Sequence, residues 1–169
     1  SDVYKRQMQV YRGMNVGTAT PTAAEQARVR HHLIDLVDPS HAFTVSEFQS
    51  LARNAIDSVR QRGSVPILVG GTGLYLRAVI DDLEIPGQFP DVAAELGTDP
   101  NTAGLHARLA ELDPTAASRM EPTNRRRIVR ALEVTLGSGR PFSSFGPGLD
   151  TYDESEFMQV ALRWDRTDL

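Results

Sequence analysis

A continuous apolar run, Val65-Pro66-Ile67-Leu68-Val69, breaks at Gly70-Gly71-Thr72-Gly73 into a helical pattern over 74–80. Unbroken apolar runs of this length suit strands covered on both faces. A glycine turn between strand and helix is the usual joint of an open α/β sheet. The residues upstream keep the same rhythm. Thr22-Ala23-Ala24-Glu25 is a capping box that starts a short helix over about 23–30. Residues 31–37, His-His-Leu-Ile-Asp-Leu-Val, read as a brief strand stopped by Asp38-Pro39. Thr44-Val45-Ser46-Glu47 is a second capping box. Val45, Phe48, Ala52, Ile56 and Val59 then recur at helical spacing until Gly63.

The rhythm changes near Pro86-Gly87. From 102 to 137 the pattern is helical only, carried by Leu105, Leu109 and Leu112 and then by Ile128, Leu132 and Leu136, with Pro114 and Pro122 as punctuation. Residues 137–155 are rich in Gly, Pro and Ser and read as a loop, after which Gln159-Val160-Ala161-Leu162-Arg163-Trp164 returns as a strand. The expected organisation is an α/β core over 8–86, a helical insertion over 87–150 and a return to the core over 151–169. Residues 1–7 hold the only lysine, Lys5, and lead into Met8 without a turn signal, so they read as a non-native leader.

Charge narrows the partner. Net charge is −4, yet six arginines stand against Glu121 and Glu133 between Arg119 and Arg140, leaving −8 for the rest of the 169 residues. A basic island on an acidic body points to one localised anionic partner. The chain has no cysteine, which excludes disulfides, zinc knuckles, iron–sulfur clusters and thiol nucleophiles. No apolar run approaches the ~18 residues of a membrane span. A cytoplasmic monomer with no membrane contact is expected.

The glycine turn Gly70, Gly71 and Gly73 at a helix N-terminus lets backbone N–H groups approach an anion, and Thr72 can cap the helix or offer its hydroxyl to a substrate. A plain tight turn with a threonine cap is the competing reading. A Walker A loop is absent, because Lys5 is not preceded by glycine. Arg125-Arg126-Arg127 and Arg130 open a helix, with Arg126 and Arg130 on one face at i, i+4, and arginine forks suit phosphate oxygens. A solvated helix face is the alternative. His31, His32, His41 and His106 read as structural, and no metal ligands are identified.

Several ordered blocks resemble the tRNA dimethylallyltransferases. They are 8–21 (Met-Gln-Val-Tyr-Arg-Gly-Met-Asn-Val-Gly-Thr-Ala-Thr-Pro), 31–35, Asp38-Pro39, 66–75 and 126–134. The resemblance implies an incomplete P-loop-NTPase-like parallel sheet carrying a small inserted helical domain. It also implies transfer of a dimethylallyl group from its diphosphate, with Mg²⁺, to the exocyclic N6 of the adenine beside the anticodon of tRNA. By position, Met8, Gln9 and Thr72 line the tRNA and adenine side of the channel, with Thr72 positioning substrate, and Arg126, Arg127, Ile128, Val129 and Arg130 match the block that contacts the anticodon stem-loop.

Three positions depart from the family pattern. Arg6 and Gln7 stand where a general-base aspartate and a serine are expected, and Ala93 stands where a tRNA-contacting arginine occurs. With no P-loop segment either, the chain alone is expected to be inactive. Two other classes share these features. One is a small-molecule or nucleotide kinase whose few mobile arginines sit on a lid; the other is a non-catalytic RNA-binding module.

Overall fold

The computed structural model describes residues 8–146 and 155–161. The leader over 1–7, much of the predicted 137–155 loop and the second half of the predicted strand 159–164 therefore lie outside the described residues. Helices dominate. A 3-10 turn, Met8–Val10, precedes α1 (Ala23–Arg28), α2 (Val45–Gln61) and α3 (Gly73–Ile80). Then follow α4 (Pro90–Thr98), α5 (Thr102–Leu112), α6 (Pro114–Ser118), α7 (Arg125–Ser138) and a 3-10 turn, Phe142–Phe145.

The parallel sheet expected as the core is not observed, which corrects the α/β reading. Among the described residues the β-type pairing is a single parallel bridge between Tyr11 and Val37. In the 31–37 segment Leu33 and Asp35 adopt φ of 63° and 52°, so the pleat is broken twice within three residues. The segment is held instead by irregular bonds. The Asp35 amide donates to the Gln9 carbonyl at 2.9 Å, and the Leu36 and Val37 amides donate to that of Val10. At 65–69 the expected two-sided burial fails as well. Val65 and Ile67 are each 83% exposed while Pro66 and Leu68 are half-buried, and no described residue supplies the neighbouring strand a ladder requires. Residues 159–161 also lack strand structure.

The chain divides into two units, Ser1–Asp82 with Tyr152–Leu169, and Leu83–Thr151. In the first, both capping boxes form. The Thr44 hydroxyl accepts from the Glu47 amide at 3.2 Å, and the Glu47 carboxylate accepts from the Thr44 amide at 2.7 Å. The Thr44 amide and hydroxyl hold the Glu47 carboxyl below its ordinary range. Helix α2 packs on α3 through buried Ala52 and Ala78, an edge-to-face contact of Phe48 with Tyr75 (centroids 4.9 Å apart) and a bond from Gln49 Nε2 to the Ala78 carbonyl. Gly63, at φ +69°, turns the chain after α2.

In the second unit, Leu96, Leu105, Leu109, Ala117, Ile128, Ala131 and Leu132 form one core, with Val92, Met120, Val129 and Phe142 against it. Each fully buried leucine or isoleucine contributes about 1.5–3 kcal/mol. The apolar stripe of α7 is rotated from the expected one: Ile128 and Leu132 are fully buried with Ala131 and Val134, while Leu136 is 37% exposed. Helix α4 was not expected from the sequence, although Pro90 at its first position and Asp91 in its first turn are ordinary start signals. Asp113 is a buried fastener. Its carboxylate accepts from the amides of Ala116 and Ser143, at 3.0 and 2.7 Å, and from the Ser143 hydroxyl at 2.8 Å.

Two predictions follow from this packing. The Phe89 ring lies flat on Gly137 of α7, where a Cβ would overlap the ring. Gly137→Ala should therefore lower the melting temperature, although alanine favours a helix by about 1 kcal/mol over glycine; a rise would show that the contact is slack. Burial raises the Asp113 carboxyl, but the Ser143 and Ala116 amides and the Ser143 hydroxyl outweigh it and hold the group below 3.8. A depressed carboxyl stabilises above its unfolded value and loses that contribution as pH falls through the folded one. Hydrogen exchange at the Ser143 amide should accelerate below about pH 4, and Asp113→Asn should remove that acid step.

Candidate functional site

Glycines in sequence make the 70–73 turn, and it delivers the N-terminus of α3. Thr72 stands at the cap position with an extended backbone (φ −82°, ψ 96°), but its side chain makes no capping bond. The amides of Tyr75 and Leu76 bond instead to the Thr72 carbonyl, at 3.0 and 3.1 Å. Beside the turn is a small cavity of about 60 Å³. Gly70, Gly71 and Thr72 form one wall, and Phe48, Leu68, Val69, Tyr75 and Leu76 form the rest. One side of this cavity is the glycine turn with Thr72. The other is apolar and aromatic, which suits a small hydrocarbon group attached to something polar.

Met8 and Gln9 do not wall this cavity. They form the 3-10 turn, in which Gln9 is buried and its Nε2 donates to the carbonyls of Thr18 and Ala19, at 2.8 Å each. Both donors of the Gln9 amide are thus spent on holding the 14–20 loop. A larger open concavity of about 760 Å³ lies against Asn15, Thr20, Thr22 and Asp35, and none of the candidate catalytic or tRNA-binding residues lines it.

The arginine run divides by function. The Asn124 side chain accepts from the Arg127 amide and starts α7. Arg125 turns inward: its guanidinium donates to the carbonyls of Leu96 and Gly97, at 3.3 and 3.1 Å, at the end of α4. Ile128 is fully buried, so its side chain is not open to a partner, and half-buried Val129 packs against the core. Arg130 is half-buried and donates to Glu133 and to the carbonyls of Pro86 and Gly87. Arg126 and Arg127 remain. Both are exposed, and among the described residues neither guanidinium has a partner. Two cations at the positive end of a helix repel its dipole unless an anion joins them. The bonds of Arg125 to Leu96 and Gly97, and of Arg130 to Pro86 and Gly87, were invisible in sequence because their acceptors are distant backbone carbonyls.

Three of the four histidines have hydrogen-bond partners. His31 Nδ1 lies 2.8 Å from the Val29 carbonyl, His41 Nε2 lies 2.9 Å from Glu47 and His106 Nε2 lies 3.2 Å from the Ala117 carbonyl. Burial, with the Arg30 and Arg62 charges, pushes His32 below its ordinary value. Among the described residues no cluster of three or more His, Cys, Asp or Glu side chains could hold a metal. Among the described residues there is thus no such cluster for the Mg²⁺ implied by the resemblance. No described helix is long and apolar enough to cross a membrane.

Comparison with known proteins adds an independent line. The family described as IPP transferase matches residues 9–169. A tRNA dimethylallyltransferase of Bifidobacterium longum (strain NCC 2705) is 50% identical over 164 residues, covering 95% of this chain and 49% of its own length. One of Chloroflexus aggregans is 54% identical over 140 residues, covering 80% of this chain and 47% of its own. The chain thus spans about half the length of the curated relatives it matches. A solved structure of a eukaryotic dimethylallyltransferase acting on tRNA matches with TM-score 0.68 and 26% identity, over 81% of this chain and 35% of that one.

Proposed function

Because the chain belongs to the IPP transferase family, we propose that it belongs to an enzyme that prenylates tRNA. In this reading a dimethylallyl group passes from dimethylallyl diphosphate to the N6 amine of the adenine beside the anticodon. The amine nitrogen forms the new C–N bond as the allylic C–O bond breaks; diphosphate carries away the electron pair, and the nitrogen loses a proton. The observation that carries the reading is the exposed, unneutralised pair Arg126 and Arg127 at the head of α7. That arrangement suits RNA phosphates, which would supply the missing anions.

The cavity beside the glycine turn is where the prenyl group would sit. Its apolar wall, Phe48, Leu68, Tyr75 and Leu76, would take the branched hydrocarbon. The turn and the N-terminus of α3 would face the anionic end. The Thr72 hydroxyl, which does not cap the helix, would orient the incoming adenine. Met8 and Gln9 are proposed to back the adenine side through the loop that Gln9 holds rather than through free donors of their own.

The test is label transfer from radioactive dimethylallyl diphosphate to an anticodon stem-loop by the full-length protein that contains this chain. Wild type should label the adenine. Thr72→Ala should lower turnover roughly tenfold or more, and Thr72→Ser should restore most of it. Failure of wild type to label RNA would defeat the reading, and full activity of Thr72→Ala would remove Thr72 from the site.

A further inference from the structure

The segment that opens the helical unit, residues 84–89, is fastened along α7 by a row of contacts that RNA binding does not require. Glu133 is the centre of it. Its side chain is 9% exposed, and its Oε1 accepts both from Arg130 at 2.7 Å and from the Phe89 amide at 2.8 Å. The other arm of the Arg130 guanidinium donates to the carbonyls of Pro86 and Gly87, at 3.0 and 3.1 Å. One turn further along the same face, Gly137 leaves the room that the Phe89 ring fills. Past the end of the helix, Arg140 pairs with Glu84 at 2.9 Å. Residues 130, 133 and 137 lie at i, i+3 and i+7, so one face of α7 is given over to this strap.

We propose that Arg130 and Glu133 are a positioning pair that clamps the 84–89 strap, and that Arg130 is not an RNA contact; at this helix the phosphates are met by Arg126 and Arg127. The inference rests on the RNA-binding reading above and refines it. Two physical arguments carry it. Arg130 already spends its fork on one carboxylate and two carbonyls. Turning it toward a phosphate would leave the buried Glu133 carboxylate with the Phe89 amide alone, and an uncompensated buried charge is strongly unfavourable. Charge also cancels: Glu133 neutralises Arg130 locally, so the pair adds little attraction for RNA. Neither limit applies to Arg126 or Arg127, which have no partner among the described residues. The strap is where the chain enters the helical unit, so the clamp sets the register of that entry against the helix whose head carries the two exposed arginines.

The test uses the full-length protein and two readouts. One is affinity for an anticodon stem-loop RNA across a salt series; the other is hydrogen exchange at the Phe89 amide without RNA. The charge-neutral double variant Arg130→Ala with Glu133→Gln avoids leaving a lone buried carboxylate. It should speed Phe89 exchange by roughly tenfold and weaken RNA binding equally at every salt concentration, leaving the log–log slope unchanged. Arg130→Lys keeps the charge but cannot hold one carboxylate and two carbonyls in a plane, so it should weaken binding in the same slope-neutral way. Arg126→Ala with Arg127→Ala should instead make the slope shallower by about 0.7–0.9 per lost contact. A shallower slope in the Arg130→Ala, Glu133→Gln protein, wild-type affinity in Arg130→Lys, or unchanged Phe89 exchange would each overturn the clamp. An unchanged slope in the Arg126→Ala, Arg127→Ala protein would overturn the RNA-facing assignment of that pair, while Phe89 exchange would still decide the clamp.

Discussion

A carboxylate that is nearly sealed from water governs the helical unit. Glu133 sits on a helix whose other buried positions are Ile128, Ala131, Leu132, Val134 and Thr135, and it must be paired there to be tolerated. Arg130, one turn earlier, pairs it, and the Phe89 amide takes up further accepting capacity. The face of α7 that carries this pair is therefore committed to the 84–89 strap, while the faces carrying Ile128 and Leu132 are committed to the core. The head of the helix, with Arg126 and Arg127, faces outward. That geometry, more than the number of arginines, is why Arg126 and Arg127 stand apart from Arg125 and Arg130.

Local signals account for most of the helices. Both threonine–glutamate capping boxes formed, Gly63 turned the chain after α2, and the leucine and isoleucine periodicity located α5 and α7. These features act within one or two helical turns, so they are legible without tertiary context. The sheet was another matter. An apolar run such as 65–69 is compatible with a strand, but a strand exists only through its neighbours, and no described residue pairs with it. The left-handed residues Leu33 and Asp35 likewise had no sequence warning, since neither is glycine or asparagine. Helix α4 was missed for the opposite reason: its start signals were present, but its single buried residue, Leu96, made a weak period.

The site was legible by residue type more than by role. The glycine turn lies at a helix N-terminus, as its residues imply, and beside a small cavity that no local sequence signal marks. The sequence also allowed the Thr72 hydroxyl to cap that helix, and it does not. Phe48 and Tyr75 wall the cavity from two different helices, and sequence spacing cannot show that two helices come together. The arginine block looked uniform for a related reason. Its members differ only in what they face: apart from the i, i+3 pair of Arg130 with Glu133, Arg125 and Arg130 reach main-chain carbonyls 28 to 44 residues away.

The central claim is that α7 meets RNA with its head while its flank holds the strap. The most direct measurement is an experimental structure of the full-length protein bound to an anticodon stem-loop. The account predicts the Arg126 and Arg127 guanidinium groups about 2.7–2.9 Å from phosphate oxygens, with Arg130 still on Glu133 and on the carbonyls of Pro86 and Gly87. A complex in which Arg130 has left Glu133 for a phosphate, with Arg126 and Arg127 in solvent, would contradict it.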